Sequence, residues 1–429
     1  MILGVRINNF LVYSNEVELS AVADMRIKKF ITNVYKKNEF NILKSLCIYG
    51  ANNAGKTCVL RAINSIKNVL LGVVADVSTN IFVESKTCSL GITFLEGEKI
   101  YSYDFKYDSS VINNYKKGFI YECLKELSID QYGNESEREI FIRDVEHDIY
   151  RFYAQEELSK MLGLVSTDNI LIYTINSIKY PVIEEYKRIL RSFASRIEVI
   201  DMNNIPIEKT IKVLKNDEDI KEKTVELIKS ADIEIDDYKY LKNETQNNNA
   251  TGYNSEVPPT PQELVLRASV IIDDMYRLTS VHKGKAVMSM NFDSTGTKKI
   301  VGIASYIVEA LKLGKILVVD ELDSSLHFKL TRAIVSLFNN VLNENAQLIF
   351  TSHDVTLLDC KKLFRKDQIW FASKDDEGEY LYSLADFTAN EDGVRSESNL
   401  FEKYNSGVLG AIPDPDLISV LLNKDGDVK

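Results

Sequence analysis

The spacing of hydrophobic positions changes character along the chain. Residues 1–10, MILGVRINNF, read as a strand, and 91–107, GITFLEGEKIYSYDFKY, read as a hairpin turning at Glu96-Gly97-Glu98. Between them the short β-rich run Leu46-Cys47-Ile48-Tyr49 enters a turn carrying Gly50 and Gly55. A segment follows whose Val59, Ile63, Ile66 and Leu70 share one helical face. To about residue 120 the order is therefore strand, turn, helix, further strands.

The middle has a helical period. Val182, Tyr186, Ile189, Leu190 and Phe193 fall on one face, as do Ile207, Ile211 and Leu214 and, past an acidic patch, Val225 and Ile228. No heptad is sustained, so no long coiled coil is expected. Residues 243–261, NETQNNNATGYNSEVPPTP, are polar and rich in Asn, Gly and Pro, which predicts an exposed loop or disordered linker. Beyond it the spacing predicts a helix over 298–312, a strand at 316–320, a helix at 325–342, and strands at 347–351, 368–372 and 379–384. There is no internal repeat. The simplest layout is one α/β domain in two halves, 1–120 and 262–429, split by a mainly helical insertion, 121–261.

Composition narrows the function classes. The 429 residues are 45% hydrophobic and 27% charged, ordinary for a globular chain. No apolar run approaches the length of a membrane span, and the start lacks the pattern of a secretion signal. The net charge of −11 is not the footprint of a protein that coats nucleic acid, although a local basic groove stays open. Cys47, Cys58, Cys88, Cys123 and Cys360 are scattered, with no CxxC pair, and are expected to be reduced thiols of a cytoplasmic protein, mostly core fillers. His147, His282, His327 and His353 show no zinc spacing.

Four stretches carry candidate chemistry. GANNAGKT, 50–57, fits GxxxxGK[ST] between a predicted strand and helix. Consecutive backbone N–H groups and the positive helix end make an anion site there. Gly50 and Gly55 permit close approach, Lys56 adds charge, and Thr57 offers a hydroxyl to Mg²⁺. A glycine-rich turn ending a strand is the plainer alternative. KILVVDELDSSLH, 315–327, is a buried-type strand ending in two carboxylates. Asp320 suits Mg²⁺ through water, and Glu321 suits polarising a water; alternatively Asp-Glu simply begins a helix. QLIFTSHD, 347–354, places His353 past another buried-type strand, as a phosphate or water contact or as an ordinary loop residue. In FDSTGTKK, 292–299, Ser294 opens a helix bearing Ile300, Ile303, Ile307 and Leu311, which is a second anion site or an ordinary N-cap. The carboxylates Asp232, Glu234, Asp236 and Asp237 lie in a mixed charged run and read as a solvated face.

In chain order, the cradle, the Ser-Thr-Gly-Thr helix, the apolar strand with Asp-Glu and the strand with His resemble the ABC-type ATPase heads of the SMC, RecF and OLD groups, whose first strand VRINNF also resembles. With LFRKDQIWFASKDDEG, YLYSLADF and FEKYNSGVLGAIP they resemble more closely the bacterial "AAA15" ATP-binding proteins, the Rlo/AbiL-like ATPases of phage-defence operons. The resemblance implies an α/β, ABC-type P-loop NTPase head that hydrolyses ATP with Mg²⁺ as a head-to-tail homodimer or larger homo-oligomer. It implies a cofactor-binding set of Gly50, Asn52, Asn53, Ala54, Gly55, Lys56, Thr57 and Cys58, with Asp323 in a D-loop-like segment. Ser294 and Gly296 would reach the nucleotide of a second copy. Thr57 and Asp320 would serve the metal, Glu321 would be the catalytic base and His353 the switch histidine. It further implies a separate effector, a Toprim-like nuclease, triggered by a phage protein or invading nucleic acid. The signature reads Ser-Thr-Gly-Thr where most ABC proteins have Ser-Gly-Gly-Gln, and the Mg²⁺-sensing glutamine has no assigned position. A RecF- or SMC-like DNA clamp is the alternative. A GTPase is a third reading, from FASKDDEG at 371–378.

Overall fold

The computed structural model describes every residue except 38–39, 74–76, 113–114, 130–134, 154–155, 164–165, 175–179, 232–234, 242–260, 376–377, 389–392, 395–397 and 413–429. The expected linker, up to Pro261, and Asp232 and Glu234 lie outside the described residues. The chain divides into two compact units, Ile2–Ser195 with Thr351–Lys429, and Met1 with Arg196–Phe350.

The first unit opens with strands β1 (Ile2–Asn8), β2 (Val17–Ser20), β3 (Val34–Lys37), β4 (Phe40–Leu43) and β5 (Ser45–Tyr49), then helix α1 (Lys56–Leu71). A meander follows: β6 (Thr87–Glu96), β7 (Lys99–Ile112), β8 (Tyr115–Ile129), β9 (Glu135–Asp144) and β10 (Ile149–Phe152). Among the described residues it makes a seven-stranded sheet in the order β10-β9-β8-β7-β6-β1-β2. Helices α2 (Glu156–Leu162), α3 (Leu171–Thr174) and α4 (Pro181–Ser195) complete this part. Phe193 of α4 stacks on Phe94 of β6 with ring centroids 3.9 Å apart, fastening the helix to the sheet.

The second unit has β11 (Ile197–Asp201), α5 (Glu208–Asn216), α6 (Glu218–Ala231), β12 (Asp237–Tyr240), α7 (Pro261–Tyr276), β13 (Leu278–His282), β14 (Lys285–Met288) and α8 (Ser289–Phe292). It continues through α9 (Thr295–Leu313), β15 (Ile316–Asp320), α10 (Phe328–Phe338) and β16 (Gln347–Thr351). The chain then returns to the first unit for β17 (Ile369–Asp375), β18 (Gly378–Ser383) and α11 (Leu400–Asn405). β11, β15 and β16 run parallel, with Asp201 level with Asp320. β17 runs parallel to β5 and antiparallel to β18. β5 and β16 are buried at every position, as continuous apolar runs covered on both faces must be. The elements are those of the expected α/β class, with mixed sheets and flanking helices. No helix among the described residues is long and apolar enough to cross a membrane.

Several elements differ from the expected spans. Strands continue to Phe152, well into the stretch read as mainly helical. Their alternation is masked because Glu122 and Arg143 occupy core positions as an ion pair, both 0% exposed. Tyr103 Oη and the Leu171 N–H also donate to the Glu122 carboxylate, at 2.6 and 3.1 Å. Ile197–Asp201, at the tail of a helical run, is a strand. Helix α10 is shorter than 325–342, because His327 is its extended N-cap and the Asn343 amide takes up the Phe338 carbonyl at 2.6 Å.

Arg143→Met leaves Glu122 buried without its guanidinium, which costs about 3–5 kcal/mol. Urea unfolding should show that loss, and adding Glu122→Gln should recover most of it; a single variant as stable as its parent would contradict the pairing.

Candidate functional site

The glycine-rich turn lies at the C-terminal end of β5. Gly50 has φ 151° and runs against β17, where a Cβ would sit 2.2 Å from the Ala372 carbonyl oxygen. Asn53 is left-handed at φ 64° and Gly55 has φ 102°. Gly55 caps α1 without a side chain, and a Cβ there would lie 2.8 Å from Tyr13 Oη. Tyr13 is wholly buried and its hydroxyl donates to the Gly55 carbonyl at 3.3 Å. Burial, with Cys58 and Glu379 nearby, pushes its ionisation well above the ordinary phenol range, so it stays a neutral donor.

Lys56, 6% exposed, folds over the turn and donates to the carbonyls of Gly50 at 2.8 Å and Ala51 at 2.9 Å. Asn52 and Asn53 are exposed, Ala54 is buried, and Thr57 and Cys58 are half-buried in the first turn of α1. The turn thus packs too closely on Ala372 and Tyr13 to admit a Cβ at Gly50 or Gly55, and it carries the Lys56 ammonium and the half-buried Thr57 beside its backbone. That donor set fits a polyphosphate and a hard, oxygen-seeking cation. His353 belongs to the same unit. The Ser352 N–H donates to the Ile48 carbonyl at 3.2 Å, and Tyr49 Oη donates to the Asp354 carbonyl at 3.4 Å. The exposed His353 therefore stands beside the strand that feeds the cradle.

The other unit gathers the remaining residues. Asp320 ends β15, and the Met202 N–H donates to its carbonyl at 3.1 Å. Glu321 is left-handed at φ 53°, and its carboxylate accepts from Asn203 Nδ2 at 2.7 Å. Asp323 lies in the following turn, its carbonyl accepting from the Leu326 N–H at 3.1 Å. Ser294 is the N-cap of α9, accepting from the Thr297 N–H at 3.1 Å. Gly296 lets this helix end approach the segment after Glu321, because a Cβ would fall 2.9 Å from the Ser325 carbonyl. Lys299, one turn along α9, donates to Ser324 Oγ at 2.8 Å. Asp320, Glu321, Asp323, Ser294 and Gly296 are thus neighbours, as are Gly50–Cys58 and His353 in their own unit.

Among the weaker candidates, Asp236 accepts from the Gly284 N–H at 2.9 Å and Asp237 pairs with Lys239 at 2.9 Å. Ser373 and Lys374, of the guanine-reading alternative, lie within the β17–β18 hairpin, where Lys374 pairs with Glu379 at 2.8 Å. Sequence reasoning did not single out Tyr13, Asn203 or Lys299. Lys299 lies inside the quoted FDSTGTKK, whereas Tyr13 and Asn203 carry no local signal.

A family model described as "AAA domain, putative AbiEii toxin, Type IV TA system" matches residues 45–359, from the entry of β5 to just past His353. No curated protein matches the chain. Among solved structures, the SMC head domain from Thermotoga maritima is similar at 8% identity and TM-score 0.41, covering 89% of this chain and 98% of its own. An Smc head bound to the C-terminal winged-helix domain of ScpA has 12% identity and TM-score 0.44, covering 89% and 97%. An Smc head with an extended coiled coil, bound to the C-terminal domain of ScpA derived from Pyrococcus furiosus, has 12% identity and TM-score 0.37, covering 89% and 96%.

Gly50→Ala should abolish MgATP binding in a calorimetric titration, because the new methyl collides with the backbone of β17. Gly97, at φ 62° with nothing within 4 Å of a Cβ, is the control. Gly97→Ala pays only the left-handed penalty of about 1–2 kcal/mol and should bind as the parent does. Normal binding by Gly50→Ala would contradict the steric account.

Proposed function

The chain belongs to the AAA-domain family whose model it matches over residues 45–359, and from that premise we propose that it is an ABC-type ATPase whose sites are completed by a second copy of itself. The observation that carries the reading is the cradle: a strand ending at Tyr49, Gly50 and a left-handed turn beyond it, and Lys56 and Thr57 opening a helix. In this reading the turn amides, the α1 N-terminus and Lys56 hold the phosphates of ATP. Asn52, Asn53, Ala54 and Cys58 belong to the same lining.

Thr57 and Asp320 would hold Mg²⁺, which when bound neutralises charge on the phosphates. Glu321 would polarise the attacking water and accept its proton, and His353 would contact the outermost phosphate or that water. Phosphoryl transfer needs mainly positioning and charge neutralisation, and these residues supply both. Ser294 at the head of α9, with Gly296, would meet the nucleotide of the neighbouring copy, and Asp323 would belong to a D-loop-like segment. ATP then favours the closed dimer and hydrolysis releases it.

The family description names a toxin and a toxin–antitoxin system. That context supports a role in antiphage defence. There the nucleotide cycle would time a separate effector, in our reading a Toprim-like nuclease, after a phage protein or invading nucleic acid is sensed.

Glu321→Gln should retain MgATP binding, lose nearly all turnover, and lengthen the life of the ATP-bound dimer in sedimentation runs. Parental turnover would remove Glu321 from the role. Mixing Lys56→Ala subunits with Ser294→Arg subunits should restore activity above either variant alone, because one composite site of the mixed dimer keeps both partners. Absence of any recovery would count against a shared site.

A further inference from the structure

Asn203 lies two residues beyond β11, in a loop tied down by its backbone. Its N–H donates to Asp201 Oδ1 at 2.8 Å, and the Asn204 N–H donates to the Asp201 carbonyl at 3.0 Å. Because β11 and β15 are parallel neighbours with Asp201 level with Asp320, this loop leaves the sheet alongside Glu321.

The side-chain amide bridges three groups. Nδ2 donates to Glu321 Oε2 at 2.7 Å. Oδ1 accepts from Ser324 Oγ at 2.9 Å and from Lys299 Nζ at 3.3 Å. Chemistry fixes the orientation of the amide, since a flip would set its oxygen against a carboxylate and its NH₂ against an ammonium. The Lys299 ammonium, which also binds Ser324 Oγ, comes from the helix that Ser294 caps.

We infer that Asn203 is a positioning residue that orients the Glu321 carboxylate and ties it, through Lys299 and Ser324, to the helix headed by Ser294. The inference rests on the reading of Glu321 as the group that activates water. Glu321 stands on a left-handed residue at a strand end, so its backbone alone leaves the carboxylate several rotamers. A hydrogen bond to a charged acceptor is stronger than a neutral one and selects among them. The same amide makes the geometry of Glu321 depend on the placement of α9.

The test is steady-state and single-turnover ATP hydrolysis by the full chain, with nucleotide binding and melting temperature, for Asn203→Ala, Asn203→Asp, Glu321→Gln and the double variant Asn203→Ala/Glu321→Gln. Asn203→Asp keeps the size and the acceptor facing Lys299 but lacks the donor to Glu321. Both Asn203 variants should lower kcat about tenfold, the loss of one charge-assisted hydrogen bond, with KM and MgATP affinity held within about twofold. Asn203→Ala should melt close to the parent, whereas Asn203→Asp, which sets a second carboxylate oxygen against Glu321, should melt somewhat lower. In the Glu321→Gln background, Asn203→Ala should add no further loss, because both changes act through one carboxylate. Parental kcat in Asn203→Asp, or a further full loss in the double variant, would overturn the inference while leaving the role of Glu321 intact. Undiminished turnover in Glu321→Gln alone would overturn the underlying reading and this inference with it.

Discussion

For β5 to turn into α1, the backbone at Gly50 must pass so close to the Ala372 carbonyl that a methyl would stand 2.2 Å from its oxygen. That single approach sets the direction in which the turn leaves the sheet. The left-handed Asn53 and the open φ of Gly55 then bring the chain round, so that Lys56 starts the helix with its ammonium lying back over the turn. Tyr13, buried and neutral, supports the loop from beneath through the Gly55 carbonyl. The anion site we propose here depends on backbone geometry more than on side chains, which is why two glycines would govern it.

The second cluster is built on the same logic of strand ends. β11 and β15 are parallel and in register, so their polar C-terminal residues arrive together while the interior of β15 stays buried. Polar groups collected past the ends of buried parallel strands are where open α/β sheets offer chemistry. Glu321 is held there by an amide from the neighbouring strand's loop, and that amide is held in turn by Lys299. Gly296 allows α9 to come near enough for this chain of contacts to close.

The cradle, the apolar strands and the helix faces were legible because each is a local pattern: a fixed spacing of glycines, an unbroken apolar run, or a 3.6-residue period. The strands beyond residue 121 were not, because a buried ion pair places Glu122 and Arg143 where alternation calls for apolar side chains. β11 was hidden by the helical period of the segment before it. Asn203 and Tyr13 were invisible for a different reason. Each owes its place to a partner about 120 or about 40 residues away, and a lone Asn or Tyr carries no spacing that announces such a partner.

The central claim is that the turn at Gly50–Gly55 with Lys56 is a phosphate cradle. Isothermal titration of MgATP into the parent chain and into Lys56→Ala tests it directly. Saturable binding by the parent that the variant loses, with both melting alike in the absence of nucleotide, is the predicted result. No binding by the parent at millimolar Mg²⁺, or equal affinity in both, would contradict it.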